Sequence, residues 1–244
     1  MNKKLAFFLS LSITILLAGD YYFFTAKETR NFEQVVVGRV IDGDTLELED
    51  GRVVRLLNIN TPEKKEFGYF EALAFLQEYE NSTIELEVTG TEKYGRLLGR
   101  VYAPDYLNLE IVRRGLGHTL LVTDADLEAF DKAQKEAIEA GEGIWENSPD
   151  YGCLTGEINK KEEYVRLERR CDVNINGWTI KDETTRKYTL GDTDASSFYL
   201  YSDKGTNTRE ARYWGRGSVW NNDRDSIFIR DAQDGLVFYD SYGY

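Results

Sequence analysis

From position 33 the chain alternates apolar and polar residues with a period of two. The runs EQVVVGRVID, DTLELED and RVVRLLNI carry the pattern, with Gly-Asp and Asp-Gly pairs between them, so 33–63 predicts a series of strands joined by turns. EDGR at 49–52 predicts a hairpin, because Asp-Gly supports a type I′ turn. At 69–80 the period lengthens, and Phe70, Leu73, Ala74 and Leu76 fall at helical spacing. Strands resume at STIELEVTG and LLGRVYA, and a short helix fits NLEIVRRG, stopped by Gly115. The clearest helix is 124–140, where Leu127, Phe130, Ala133, Ala137 and Ile138 share a face. Thr123 with Asp126 reads as its capping pair, and Gly141 and Gly143 as its stop.

GIWENSPDYG reads as a boundary. Beyond it Thr, Tyr, Trp, Gly and Asp become frequent, and EYVRLERR, GWTIKD, SSFYLYS and DSIFIRD are short strand candidates, a pattern that suggests a β-sandwich. At the other end, MNKKLAFFLSLSITILLAGDYYFF places two lysines before an apolar run. Residues 1–24 therefore read as either a cleaved secretory signal or an uncleaved membrane anchor, followed by a polar linker at 25–32. Both readings export the rest of the chain, because Lys3 and Lys4 stay inside.

With 244 residues, 41% of them hydrophobic, the chain is long enough for two globular domains. Its net charge of -13 argues against tight nonspecific binding of duplex DNA, yet it leaves room for an enzyme with a local basic pocket. Cys153 and Cys171 are the only cysteines, a possible disulfide in an oxidising compartment. Neither has a His or a second Cys at zinc-ligand spacing.

Hydrolysis of a phosphodiester needs an activated water, a nearby cation and donors for the charge that builds on phosphate oxygens. Arginine suits the last task, since its planar fork stays charged and donates in parallel. Asp42 and Asp44 in IDGDT, Arg55, Thr61 and Glu63 in VVRLLNINTPE, and Arg96 in EKYGR supply these parts. Singly, none is specific.

Their order is. VIDGDTLEL, VRLLNINTPE, GYFEALAF, EKYGRLLGRVY, EIVRRGLG and AQKEAIEAGEGIW follow one another as in staphylococcal-type thermonucleases, which the segment 33–148 resembles. The resemblance implies, for a domain at 33–150, an OB-fold five-stranded β-barrel with capping helices, so that the whole chain is mainly β with helices. It implies a Ca²⁺-dependent nuclease acting on DNA and RNA, preferring single-stranded or frayed substrate and leaving 3′-phosphate ends. Glu63 corresponds to the residue that acts on water, and Arg55 and Arg96 to those that grip the phosphate. Asp44 and the Thr61 carbonyl correspond to calcium ligands, Asp42 sits behind them through metal-bound waters, and Tyr94 and Lys93 fall near the substrate phosphate.

Two positions depart from the family pattern. Asn60 stands where the best-known members carry a calcium-ligating aspartate; an amide oxygen still suits Ca²⁺, at lower affinity. In TLLVT at 119–123, Leu121 and Thr123 stand where the family packs tyrosines on the nucleotide. The lone His118 beside them reads as a surface or edge residue rather than a base.

From about 157 onward, GWTIKDE, WGRGSVWNN and LVFYDSYGY resemble the lamin-tail domain, which implies an immunoglobulin-like β-sandwich at 155–244. Trp178, Trp214 and Trp220 would then serve its core and turns, Arg209, Arg212 and Arg216 would be solvated surface charge, and its ligand is unknown. The competing reading of the whole chain is a catalytically inactive extracellular module that binds nucleic acid or a surface.

Overall fold

In the computed structural model, which describes residues 31–122 and 124–244, five strands close into a barrel. They are β1 (Glu33–Asp42), β2 (Thr45–Leu48), β3 (Val53–Leu56), β5 (Thr83–Thr91) and β6 (Leu97–Tyr102), in the order β1-β2-β3-β6-β5, with β3 and β6 parallel. Alternation sends Val35, Val37, Val54, Leu56, Ile84, Leu86 and Val101 inward. Gly99 is needed there, since a Cβ would lie 2.6 Å from the Leu86 Cδ1 and 2.8 Å from the Val54 Cγ1. A short ribbon, β4 (Ile59–Asn60) with β7 (His118–Thr119), lies outside the barrel sheet.

Three helices cap the barrel: α1 (Tyr69–Gln77), α2 (Leu107–Arg113) and α3 (Asp124–Ala140). Helix α1 buries Tyr69, Ala72, Phe75 and Leu76; of the predicted stripe Leu76 is buried and Leu73 packs on the core, whereas Ala74 and Phe70 (72% exposed) face solvent. Small Ala72 lies under Gly43, where a Cβ would come within 2.6 Å of the Ala72 Cβ. Asn108 of α2 is fully buried; its amide donates to the Leu57 and Gly99 carbonyls (2.9 and 3.0 Å) and its oxygen accepts from the Val101 amide (3.1 Å). Asp126 has partners beyond its own helix. It accepts from Asn58 (3.0 Å) and from the Arg100 guanidinium (2.7 Å), tying α3 to β6. Thr123, its expected partner, lies outside the described residues, as do 1–30, with the signal-or-anchor segment and most of the linker. No helix among the described residues is long and apolar enough to cross a membrane.

The 49–52 turn also differs in type. Gly51 alone has a positive φ (88°), whereas type I′ requires two such residues; Gly51 donates to the Leu48 carbonyl inside a longer loop closed by Leu48 and Arg52.

The C-terminal half holds two four-stranded sheets. One is β11 (Lys187–Thr189), β10 (Thr179–Lys181), β14 (Asp225–Arg230) and β15 (Leu236–Tyr242); the other is β13 (Ala211–Tyr213), β12 (Ser197–Tyr201), β9 (Tyr164–Arg169) and β8 (Leu154–Asn159). Leu154, Val165, Leu167, Phe198 and Leu200 of the second sheet share an apolar core with Ile180, Ile227, Ile229 and Val237 of the first. Trp178 and Trp220 are buried in it, and Trp214 packs on Trp220. Cys153 and Cys171 form a disulfide. Arg212 is not solvated: it is buried over the Phe198 ring and donates to the Ala211 and Asp192 carbonyls, whereas Arg209 pairs with Asp194 at the surface.

Barrel and sheets belong to one compact unit, Glu33–Tyr244. Ala137, Ile144 and Trp145 from the barrel side form a small core with Phe228 and Leu236. Full burial of such side chains stabilises by about 1.5–3 kcal/mol each. Leu236 exchanges backbone hydrogen bonds with Glu146 and Ser148 (2.9 and 2.8 Å).

Candidate active site

The turn between β1 and β2 brings two carboxylates to the barrel rim. The Asp42 carboxylate accepts from the Asp44 amide (3.2 Å), which folds the turn and aims Asp44 inward. One Asp44 oxygen accepts from Thr45 Oγ1 (3.0 Å); the other accepts from the Thr61 amide (3.1 Å) and hydroxyl (3.2 Å) and pairs with Arg55 Nη2 (3.0 Å). Arg55 reaches it because Thr45 and Arg55 are paired across β2 and β3. Its other contacts are the Leu56 carbonyl (3.1 Å) and Asn60 Oδ1 (3.0 Å). Burial pushes the Asp44 carboxyl up to about 6; Arg55 opposes the shift and Asp42 adds to it.

Arg96 stands at the mouth of the β5–β6 hairpin, ion-paired with Glu92 and partly exposed. Its pKa is raised, chiefly by the Glu92 hydrogen bond and in smaller part by the fields of Asp44 and Asp42, which face the same region. Glu63 is exposed, and among the described residues its carboxylate has no hydrogen bond or ion pair. Tyr94 is 80% exposed with the Lys93 ammonium 6.0 Å from its ring centroid, both at the hairpin tip.

Asn60 has other partners than a cation. Its oxygen accepts from Arg55, and its amide donates to the Glu183 carbonyl (3.2 Å), a group from the C-terminal sheets. An aspartate could not make that donation. Glu183 sits in a buried acidic pocket: burial, with Asp225 and Asp182 adding, pushes it up to about 7, while the Tyr244 hydroxyl (2.5 Å) and the Asn221 amide (3.2 Å) donate to its carboxylate.

His118 is buried rather than at the surface. Its Nδ1–H donates to the Thr119 carbonyl (2.9 Å), its ring lies 4.9 Å from Phe228, and burial, with Lys181, pushes it down to about 3. Leu121 is exposed, its amide donating to the Tyr244 hydroxyl at 3.4 Å. Beside these residues a cleft between barrel and sheets is lined by Thr61, Pro62, Glu66, Phe67, His118 and Lys181, but by none of Arg55, Glu63 or Arg96. The roles of Glu66, Lys181 and Glu183 have no signature in local spacing; only Glu66, three residues after Glu63, shows the offset of a turn-closing side chain.

For a hard divalent cation the site offers the Asp44 carboxylate and the Thr61 carbonyl, which accepts no hydrogen bond among the described residues, with the Asp42 carboxylate behind them. No cluster of three or more His, Cys, Asp or Glu residues is arranged to hold a metal among the described residues. These oxygens fit Ca²⁺ if water completes the usual six to eight.

A closed five-stranded barrel with two arginines and paired carboxylates at its rim is an OB-like domain. The chain belongs to the staphylococcal nuclease homologue family, which matches residues 53–147. That span includes Arg55, Asn60, Thr61, Glu63, Lys93, Tyr94 and Arg96, while Asp42 and Asp44 precede it. An uncharacterized endonuclease of Escherichia coli O157:H7 is 34% identical over 118 residues, covering 46% of this chain and 76% of that protein. The thermonuclease of Staphylococcus intermedius is 29% identical over 157 residues (57% of this chain, 94% of that protein). Endonuclease YhcR of Bacillus subtilis is 28% identical over 161 residues, 55% of this chain but 13% of that protein.

Proposed function

We propose that the chain is a calcium-dependent nuclease that hydrolyses phosphodiester bonds of DNA and RNA. The observation that carries this reading is the Asp44–Arg55–Thr61 constellation, with the Glu63 carboxylate, unpaired among the described residues, two residues beyond Thr61 and Arg96 in the field of the same aspartates. Asp44 and Thr61 would hold the cation, joined by the Asn60 oxygen once Arg55 turns to substrate, with Asp42 acting through metal-bound waters. Calcium held there would supply Lewis-acid stabilisation of charge on the phosphate. Arg55 and Arg96 donate to the phosphate oxygens as that charge builds, Arg55 exchanging its Asn60 contact for substrate. Glu63 orients or deprotonates the attacking water from its exposed position, and the 5′-oxygen leaves. Tyr94 and Lys93 flank the strand.

The C-terminal sheets are lamin-tail-like and tether the enzyme to a surface or to substrate; the two sheets over one tryptophan-bearing core support that reading. We place the protein outside the cytoplasm, secreted or held by its N-terminal segment, and the disulfide agrees with an oxidising compartment.

One observation favours the alternative, a catalytically silent binding module: Arg55 is committed to Asp44 and Asn60. Calcium-dependent release of nucleotides from heat-denatured DNA separates the two. The nuclease reading expects release by the wild type and its loss in Glu63→Gln and Arg96→Ala. Equally low release by all three supports the binding module.

A further inference from the structure

The Glu63 carboxylate has no side-chain partner among the described residues, so its aim depends on the backbone that carries it. That backbone is a four-residue turn in which the Glu66 amide donates to the Glu63 carbonyl (2.8 Å) and the Glu66 carboxylate accepts from the Glu63 amide (3.0 Å). Lys65, inside the turn, has φ +83°, a conformation non-glycine residues rarely take unless their surroundings impose it. Glu66 is thus the clasp of the turn.

The clasp is held from the other half of the chain. Lys181, at the end of β10, donates its ammonium to the same Glu66 oxygen that receives the Glu63 amide, at 2.5 Å, and both side chains are more than four-fifths buried. Two residues later the Glu183 carbonyl accepts from Asn60. One C-terminal segment therefore grips the active-site stretch at both ends, at position 60 and at position 66.

We propose that Lys181 is a positioning residue of the nuclease site: through Glu66 it fixes the turn that presents Glu63 to the attacked phosphate. The inference rests on the nuclease reading above and adds to it that the C-terminal half is part of the catalytic apparatus as well as a tether. A lysine suits the task because it presents a compact charge that holds Glu66 ionised in a largely buried site.

The test uses the full chain, a single-stranded DNA oligonucleotide and saturating Ca²⁺. Lys181→Met is expected to lower kcat by between about tenfold and a hundredfold, the scale of small misplacements of a reacting group, with KM within about twofold. Lys181→Arg keeps the cation and should restore most of the rate. In a Glu63→Gln background Lys181→Met should add little, because both changes act through one carboxylate. Glu66→Gln, read with a thermal melt, covers the case in which Lys181→Met fails to fold. Unchanged kcat in Lys181→Met, or losses that multiply in the double variant, overturn the positioning role while leaving the nuclease reading intact. A wild type that releases nothing overturns both.

Discussion

Asn60→Asp exchanges one amide group for a carboxylate at a buried junction. In the wild type the amide bridges Arg55 on one side and the Glu183 carbonyl, 3.2 Å away, on the other. The aspartate removes the donor and sets a second oxygen against that carbonyl. Leaving a buried acceptor unpaired costs about 1–3 kcal/mol. In return, the acceptor of the Arg55 bond, already charge-assisted by the guanidinium, becomes ionised, a gain of roughly 1 kcal/mol. That gain is shared, because Arg55 already pairs with Asp44 at 3.0 Å, and two carboxylates would then compete for one guanidinium. The net expectation is a loss of about 1–2 kcal/mol, or about 2–8 °C in melting temperature for a unit of this size. Urea and thermal melts of metal-free protein at neutral pH measure it. A variant as stable as the wild type would refute the reasoning and show that the Asn60–Glu183 hydrogen bond contributes nothing. Calorimetry on the same samples checks the expectation that a carboxylate at position 60 tightens calcium; no change removes this position from the ligand set.

His118, with its pKa pushed down to about 3 from an ordinary 6.5, stays neutral in the fold while the unfolded chain takes up a proton, so stability is lost as pH falls from about 6.5 towards 3. Compared with His118→Gln, the wild type should lose up to about 1.4 kcal/mol per pH unit in that window, and parallel urea-midpoint curves would contradict this. Gly43→Ala sets a Cβ 2.6 Å from the Ala72 Cβ and 2.7 Å from Thr61 Oγ1, and should destabilise by about 1–3 kcal/mol while reducing nuclease rate more than other barrel substitutions of equal cost; melts paired with the oligonucleotide assay measure both. Replacing Cys153 and Cys171 by serine opens a loop of sequence separation 18 and should lower stability by about 3 kcal/mol in urea melts, with no effect expected on the Asp44–Arg55 pair.

Much of the barrel was readable along the chain because its information is local. Period-two alternation in β1 to β3 and the helical stripe of α3 follow from the geometry of single elements, and α3 runs over the predicted Asp124–Ala140. Where two elements meet, the same logic fails. The stripe read from Phe70 held at Leu73 and Leu76 but missed Ala72, which lies under Gly43, and nothing in the spacing of Asp126 showed its pairing with Arg100 of β6.

The sequence by itself thus determined the alternation that closes the barrel, the order of the residues the family uses, and two cysteines available for pairing. Tertiary structure decided what Asn60, His118 and Glu66 do, because each takes its environment from residues more than a hundred positions away: Glu183, Phe228 and Lys181. Spacing along a chain encodes which side chains share a face. It does not encode which distant carbonyl or ammonium will arrive there once the two halves pack together, and that arrival sets hydrogen-bond partners, burial and charge.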